Sequence, residues 1–146
     1  MKVYLDMCAI QRPLDTPNQV RITVEAEAVL GILALSQAGE LDLVSSDALL
    51  FELRHNPNPV RKQYAFDVIS QARTFVALNE AIERRATAFI AAGIKPLDAF
   101  HLASAEEARA DYFCTCDDRL LEKAKSRKDL KIRVVAPTAL IQEVKE

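Results

Sequence analysis

The hydrophobic positions of the chain follow two alternating patterns. Short apolar runs with the length and composition of buried strands lie at 2–6, 41–46, 74–78, 111–116 and 132–136. Stretches in which apolar residues recur every three or four positions predict helices at 19–38, 47–55, 59–72, 79–92 and 96–110, after 116 and from Pro137. Strands that alternate with helices predict an α/β fold with a central parallel sheet of about five strands, covered by helices on both faces.

Local signals set the expected ends of these helices. Asp47 and Asn79 are the expected N-caps of the helices that follow them, and Pro96 suits the first turn of another helix. A loop that contains Pro13 and Pro17 is expected after the first strand. The expected apolar face of the helix over 19–38 consists of Val20, Val24, Ala28, Ile32 and Leu35.

Composition narrows the class of protein. The 146 residues are half hydrophobic and 27% charged with a net charge of −2, which is typical of one soluble globular domain, here 1–146. No apolar run is long enough to cross a bilayer, and the N-terminus has no signal-peptide pattern, so we expect a cytoplasmic protein without membrane association. The three cysteines favour reduced thiols, and with two histidines in the chain a zinc site is disfavoured.

Acidic residues stand where the predicted strands end. Asp6 ends the first strand, and Asp117 follows the fourth. Glu52 and Asp98 lie in helices that begin near the same edge of the sheet, where ligands bind in parallel α/β folds. Each acid alone has an ordinary explanation as a helix cap, a favourable charge at a helix N-terminus or an ion pair. Together, four carboxylates repel one another unless a hard cation such as Mg²⁺ or Mn²⁺ joins them, and such ions support phosphodiester hydrolysis.

Four motifs carry a family resemblance. YLD (4–6), LFEL (50–53), PLDAFHLASA (96–105) and TCDDRLL (115–121) resemble the PIN-domain nucleases, and more closely the VapC-like toxins of type II toxin–antitoxin pairs. The resemblance covers nearly the whole chain in the expected order. It implies a PIN-like three-layer α/β/α sandwich and a Mg²⁺- or Mn²⁺-dependent endoribonuclease. It also implies an RNA substrate, a homodimer and a cognate antitoxin protein.

The resemblance assigns roles to the four acids. It implies that Asp6, Asp98 and Asp117 are catalytic metal ligands, and that Glu52 binds a metal ion or orients its water. At the position two residues after Asp6 the family often has Ser, Thr or Asn, and this chain has Cys8, whose thiol is a poorer hydrogen-bond partner.

Three neighbours of these acids are expected to support the site. Thr115 orients Asp117 or its loop through the hydroxyl, or is an ordinary strand residue. Asp118 caps the following helix or lies beside the site, and it can also take the place of Asp117. His101 shares a helix face with Asp98 and is expected to pack or hydrogen-bond beside the site rather than act as a base.

Basic side chains near the motifs are candidates for RNA contact. The candidates are Arg54, Arg61, Lys62 and Arg119. In the polar segment 11–22, Arg12 and Arg21 are expected either to contact RNA phosphates or to pair with Asp15 and Glu25.

Three other functions stay open from the sequence. A phosphohydrolase of small phosphate esters would use similar acids, although three glycines in the whole chain leave no phosphate-binding loop. A PIN-like module that binds RNA or protein without cutting would share the fold. So would a solitary PIN nuclease in RNA processing.

Overall fold

The order of the strands explains how distant segments reach one edge of the sheet. A computed structural model describes residues 1–145 and has a five-stranded parallel sheet in the order β3-β2-β1-β4-β5. The chain winds outward from β1 to β3 and then crosses to the other side of β1 for β4 and β5. The order therefore reverses between β1 and β4, and in open α/β sheets ligands bind at the carboxyl ends of such a strand pair.

The elements confirm the predicted alternation and the α/β/α sandwich. The strands are β1 (Lys2–Leu5), β2 (Asp42–Ser46), β3 (Thr74–Val76), β4 (Tyr112–Cys114) and β5 (Arg133–Val135). The helices are α1 (Met7–Gln11), α2 (Val20–Gln37), α3 (Asp47–Arg54), α4 (Pro59–Ile69), α5 (Glu80–Ala91), α6 (Pro96–Glu107), α7 (Asp118–Lys125) and α8 (Pro137–Lys145), with a 3-10 turn at Arg12–Leu14. Glu146, the last residue of the predicted domain 1–146, lies outside the described residues.

The central strand β1 is buried on both faces. Val3, Tyr4 and Leu5 are all buried, as expected for a parallel strand between two helical layers. The ring of Tyr4 stacks on Phe113 of β4, with ring centroids 5.3 Å apart. Leu5 lies opposite Cys114, and the Asp6 backbone N–H donates to the Cys114 carbonyl at 3.1 Å. The chain segments that follow β1 and β4 therefore leave the sheet side by side.

An ion-pair network lies on the helical layer that α5 and α6 form by packing together. Arg85 of α5 donates to Glu106 of α6 at 2.7 Å and to Asp129 at 3.0 Å. Arg127 also pairs with Asp129, at 2.7 Å. Hydrogen bonds from Arg127 and Arg85 hold the pKa of Asp129 well below its usual range.

The segment after β1 differs from the predicted loop. It begins with α1, because Asp6 has an extended backbone and its Oδ1 accepts a hydrogen bond from the Ala9 N–H at 3.0 Å. A helix of five residues is too short to show a helical period, so the hydrophobic pattern gave no sign of it. The predicted strands over 74–78, 111–116 and 132–136 also pair over shorter lengths, Thr74–Val76, Tyr112–Cys114 and Arg133–Val135.

Two other local predictions were wrong. The N-cap of α3 is Ser46, which accepts from the Leu49 N–H, whereas Asp47 accepts from the Leu78 N–H at 2.7 Å. In α2, Val20 and Val24 are exposed rather than part of the apolar face. The inward face of this helix instead includes Glu25, because that carboxylate pairs with Arg12 and Arg21.

Candidate active site

Four acidic side chains line one cavity at the carboxyl ends of β1 and β4. The cavity has a volume of about 320 Å³ and is lined by Asp6, Met7, Cys8, Arg12, Glu52, Asp98, His101, Cys116 and Asp117. Asp6 comes from the β1–α1 junction, and Asp117 from the β4–α7 junction. Glu52 is in the last turns of α3, and Asp98 is in the first turn of α6. The fold thus brings the four acids marked by the sequence motifs to one place.

Asp6 is both a helix cap and part of the cavity wall. Its carboxylate accepts hydrogen bonds from the Ala9 N–H and the Cys8 thiol, each at 3.0 Å and both on Oδ1. Asp6 is only 4% exposed, and this burial raises its pKa well above its usual range. A buried carboxylate of this kind favours either a proton or a cation beside it.

The Cys8 thiol donates a hydrogen bond to Asp6 at a position where the family often has Ser, Thr or Asn. Its Sγ lies 3.0 Å from Asp6 Oδ1 and 3.4 Å from Thr115 Oγ1. The neighbouring Cys116 side chain and desolvation raise the pKa of Cys8, so the thiol stays protonated and can donate. All three cysteines are free thiols, as predicted.

Asp117 and its neighbour Asp118 have different partners. The Asp117 N–H donates to Thr115 Oγ1 at 3.0 Å, and Asp117 Oδ1 accepts from the N–H groups of Arg119 and Leu120. Asp117 is therefore the N-cap of α7, and the prediction that Asp118 caps this helix was wrong. Asp118 is the first helical residue, its side chain is 65% exposed, and it makes a bidentate ion pair with Arg21 at 2.7 and 2.8 Å.

Asp98 is the third acid of the cavity and is half-buried. Burial raises its pKa, and the nearby charges of Asp117 and Glu52 act in the same direction. His101 and Lys95 have the opposite effect on it. Because Asp6 and Asp98 both have raised pKa values, each holds its negative charge at a cost in free energy that a bound cation would offset.

The donor set of the cavity fits a hard divalent cation. Its four candidate ligands are all carboxylates, which Mg²⁺ and Mn²⁺ prefer over soft ligands. Among residues 1–145, no three His, Cys, Asp or Glu side chains form a complete metal site as they stand. Mg²⁺ keeps several of its waters and takes one or two carboxylates directly, so a site for it does not need three converged ligands.

A buried chain of hydrogen bonds reaches Glu52 from the core. His101 Nε2 lies 2.7 Å from Glu52 Oε1, and His101 Nδ1 lies 2.6 Å from the Tyr4 hydroxyl. That hydroxyl lies 2.7 Å from Ser46 Oγ, which accepts from the Leu49 N–H at 3.1 Å. Because Ser46 is the N-cap of α3 and Glu52 lies near its end, these hydrogen bonds start and finish on the same helix.

Counting donors fixes the direction of these bonds. A carboxylate only accepts, so His101 Nε2 donates to Glu52, and in the tautomer with its proton on Nε2 the Nδ1 atom accepts from Tyr4. Tyr4 then donates to His101, and Ser46 donates to Tyr4, while Ser46 accepts from the backbone. In this single arrangement the side chains of Ser46, Tyr4 and His101 are all satisfied.

Most basic residues near the cavity are engaged in ion pairs. Arg12 lies 2.9 Å from Asp15 and 3.1 Å from Glu25, and Arg21 lies 3.4 Å from Glu25. Of the two roles predicted for Arg12 and Arg21, the structure therefore has the ion pairs.

The four predicted RNA contacts are dispersed. Arg61 pairs with Asp15 at 2.8 Å, and Arg54 and Lys62 are exposed and do not line the cavity. Arg119 lies in a smaller groove that adjoins Asp98 and Asp117.

Two residues of the hydrogen-bond chain that reaches Glu52 were missed from the sequence. Tyr4 and Ser46 read as ordinary members of apolar strands, and neither was a candidate. A tyrosine inside a strand that is buried on both faces needs a hydrogen-bond partner for its hydroxyl, and that requirement was the available signal.

A family model matches most of the chain. Residues 17–126 match the model of the PIN domain, which is well over half of the sequence. The chain therefore belongs to the PIN domain family, whose members are generally nucleases. This match confirms the resemblance carried by the four motifs.

Solved structures with a similar fold have low sequence identity. VapBC2 from Rickettsia felis, bound to a DNA fragment from its promoter, has a TM-score of 0.57 and 12% identity, covering 93% of this chain and 98% of that one. PAE2754 from Pyrobaculum aerophilum has a TM-score of 0.58 and 15% identity, covering 99% of this chain and 98% of that one. No curated protein sequence matches significantly. None of the helices formed by residues 1–145 has the length and apolarity that a membrane span needs.

Proposed function

We propose that the protein is a divalent-metal-dependent endoribonuclease that hydrolyses RNA phosphodiesters. The observation that carries this proposal is the convergence of four carboxylates on one cavity at the reversal of strand order in a PIN fold. Asp6, Asp98 and Asp117 are the proposed ligands of Mg²⁺ or Mn²⁺, directly or through the waters that the ion keeps. When bound, the ion supplies Lewis acidity toward the phosphodiester and makes water a better nucleophile.

The protein's own side chains orient the reactants in this proposal. His101 occupies Oε1 of Glu52, so Oε2 is free of that bond and can hold the attacking water. Thr115 fixes the backbone at Asp117, which keeps that carboxylate at the cavity wall. His101 positions Glu52 and does not itself contact the substrate.

A cleavage assay tests the proposal. Purified protein is incubated with labelled RNA in Mg²⁺, in Mn²⁺ or in EDTA, together with the variants Asp98→Asn and Asp67→Asn. Asp67 is an exposed acid of α4 outside the cavity and serves as the control. We expect metal-dependent cleavage by the wild type and by Asp67→Asn, and no cleavage by Asp98→Asn.

The other outcomes identify the alternatives. Cleavage that is indifferent to EDTA and to Asp98→Asn contradicts the proposal. Hydrolysis of a small phosphate ester without RNA cleavage indicates a phosphohydrolase. RNA binding with no cleavage under any metal indicates a non-catalytic module.

We further propose that this nuclease is the toxin of a type II toxin–antitoxin pair that acts in the cytoplasm as a homodimer. Support comes from the VapC-like motifs and from the structural similarity to a protein described as part of a VapBC complex. Expression in a bacterial host tests this role. We expect growth arrest that is absent with Asp98→Asn and relieved by co-expression of a small antitoxin encoded beside the gene. A wild-type protein that does not affect growth would point to a solitary PIN nuclease.

A further inference from the structure

A second depression adjoins the acidic cavity, and we call it the basic groove. Its volume is about 40 Å³, and its basic lining residues are Lys95, Arg119 and Lys123. Asp98 and Asp117 line both the cavity and the basic groove, so the two depressions share a wall. A ligand that occupies the cavity can therefore continue directly into the basic groove.

The three cations are placed by two helices. Lys95 directly precedes α6, the helix that carries Asp98. Arg119 and Lys123 are four residues apart in α7 and so lie on one face of that helix. Lys123 Nζ donates to the Gly93 carbonyl at 2.5 Å, which fixes the ammonium group and leaves it two further protons to donate.

The cations of the basic groove are outside the salt bridges of the described residues. Within residues 1–145, Lys95, Arg119 and Lys123 take part in none of the salt bridges. By contrast, Arg12 at the cavity pairs with two acids, and Arg21 pairs with Glu25 and Asp118. Unpaired positive charge beside the cavity is therefore concentrated in the basic groove.

We propose that the basic groove is a subsite for a backbone phosphate of single-stranded RNA, next to the phosphate that is cleaved. This inference rests on the proposed nuclease function. A strand whose scissile phosphate lies among the four acids is repelled by them, and its neighbouring phosphate needs compensating positive charge. Arg12 and Arg21 are held in salt bridges with carboxylates, whereas the three cations of the basic groove form none among the described residues. Contacts with phosphates position the strand and add affinity without reading its sequence.

A binding experiment tests the subsite apart from catalysis. The probe is a labelled oligouridylate, and binding is followed by fluorescence anisotropy at several salt concentrations in an Asp6→Asn background. The test variant is Arg119→Ala/Lys123→Ala. The control is Lys125→Ala/Lys128→Ala, which removes the same charge from exposed positions in the same stretch of chain outside the basic groove.

We expect the test variant to bind the probe roughly three- to tenfold more weakly, with a salt slope smaller by about 0.7 for each phosphate that the protein no longer neutralises. The control is expected to bind like the parent protein. If the test variant and the control weaken binding of the probe equally, the effect is one of general charge, and the proposed subsite is overturned. Thermal unfolding of both variants checks that the substitutions leave the fold intact.

Activity measurements separate this inference from the nuclease proposal. In the otherwise wild-type protein, we expect Arg119→Ala/Lys123→Ala to raise KM for RNA by a larger factor than KM for bis(p-nitrophenyl) phosphate, because that ester has no neighbouring phosphate. RNA cleavage that is equal in test and control overturns the subsite while the nuclease function stands. RNA binding that depends on the basic groove, without any cleavage by the wild type, overturns the nuclease function and leaves the groove as a phosphate-binding site of an RNA-binding module.

Discussion

The imidazole of His101 holds the carboxylate of Glu52 from the interior side, with Nε2 2.7 Å from Oε1. The His101 side chain is 1% exposed and that of Glu52 is 33% exposed, so this bond runs from the core to the cavity. Tyr4 and Ser46 extend the connection to the N-terminus of α3, the helix that carries Glu52. A change in the core can therefore alter the orientation of a carboxylate in the cavity.

Removing the Tyr4 hydroxyl tests this connection. We expect Tyr4→Phe to reduce RNA cleavage about tenfold, as is typical when a partner of a metal-site residue is removed. It also leaves His101 Nδ1 and Ser46 without their buried partner, which costs about 1–3 kcal/mol of unfolding free energy. Cleavage rates and urea unfolding measure the two effects. Tyr64→Phe is the control, because the half-buried Tyr64 hydroxyl has no hydrogen bond within residues 1–145. Equal cleavage by Tyr4→Phe and Tyr64→Phe would contradict the connection from Tyr4 through His101 to Glu52.

Two replacements of His101 separate its two hydrogen bonds. Gln can place its amide nitrogen near the position of Nε2 and still donate to Glu52, whereas Asn reaches only the position of Nδ1 beside Tyr4. We expect His101→Gln to retain more cleavage activity than His101→Asn. Comparing kcat with the free energy of unfolding for both variants checks this. Activities that follow stability alone would show that His101 only fills space.

Asp117 and Asp118 are predicted to differ in function despite being adjacent. Asparagine caps helices as well as aspartate does, so Asp117→Asn keeps the start of α7 but removes a proposed metal ligand. We expect Asp117→Asn to abolish cleavage with little change in thermal stability. Asp118→Asn weakens only the exposed ion pair with Arg21 and is expected to retain cleavage within about twofold, since exposed pairs contribute little. The opposite result would make Asp118 the functional acid.

The burial of Asp6 predicts a stability gain when its charge is removed. Asp6→Asn keeps the capping oxygen for Ala9 and eliminates a desolvated carboxylate. In EDTA, we expect the unfolding free energy to rise by about 1–3 kcal/mol over the wild type. Mg²⁺ is expected to stabilise the wild type and not the variant. Urea unfolding with and without metal measures this, with Asp67→Asn as the control, and a variant that is less stable in EDTA would refute it.

The ion pairs of Asp129 predict a dependence of stability on pH. Because Arg127 and Arg85 lower the pKa of Asp129 in the folded protein, its ionised form stabilises the fold above the unfolded value of about 3.9. That contribution disappears as the pH falls further. We expect Asp129→Asn to lower the midpoint of thermal unfolding at neutral pH, and the difference to shrink in acid. A difference in unfolding midpoint that stays constant with pH would contradict this prediction. The control is Glu122→Gln, because Glu122 is an exposed acid outside the salt bridges of the described residues.

The fold was predictable because its main signals are local and repeated. The apolar run of β1 and the helical period of α6 are visible in the sequence, and their alternation implies a parallel sheet. The five-residue helix α1 was not predictable in this way, because it is set by one side chain, Asp6, that accepts a hydrogen bond from a residue three positions ahead.

The candidate site was predictable at the level of topology but not of contacts. The rule that ligands bind at the carboxyl ends of strands is enough to bring Asp6 and Asp117 together. The partner of Tyr4 lies 97 residues away, and only the packing of α6 against the sheet brings His101 to it. The difference between Asp117 and Asp118 depends on which residue has the extended backbone before α7, and composition does not reveal this.

Asp6 and Asp117 each combine a helix-capping role with a place in the cavity wall, and this combination determines what their substitution does. Each begins a helix with the same carboxylate that faces the cavity. Exchange to alanine would fray α1 or α7 as well as remove the charge, whereas exchange to asparagine would remove the charge alone. Exchange of Asp to Asn needs one base change in the codon. Under the proposed function, that single change is expected to abolish cleavage while the fold and the RNA-binding surface remain.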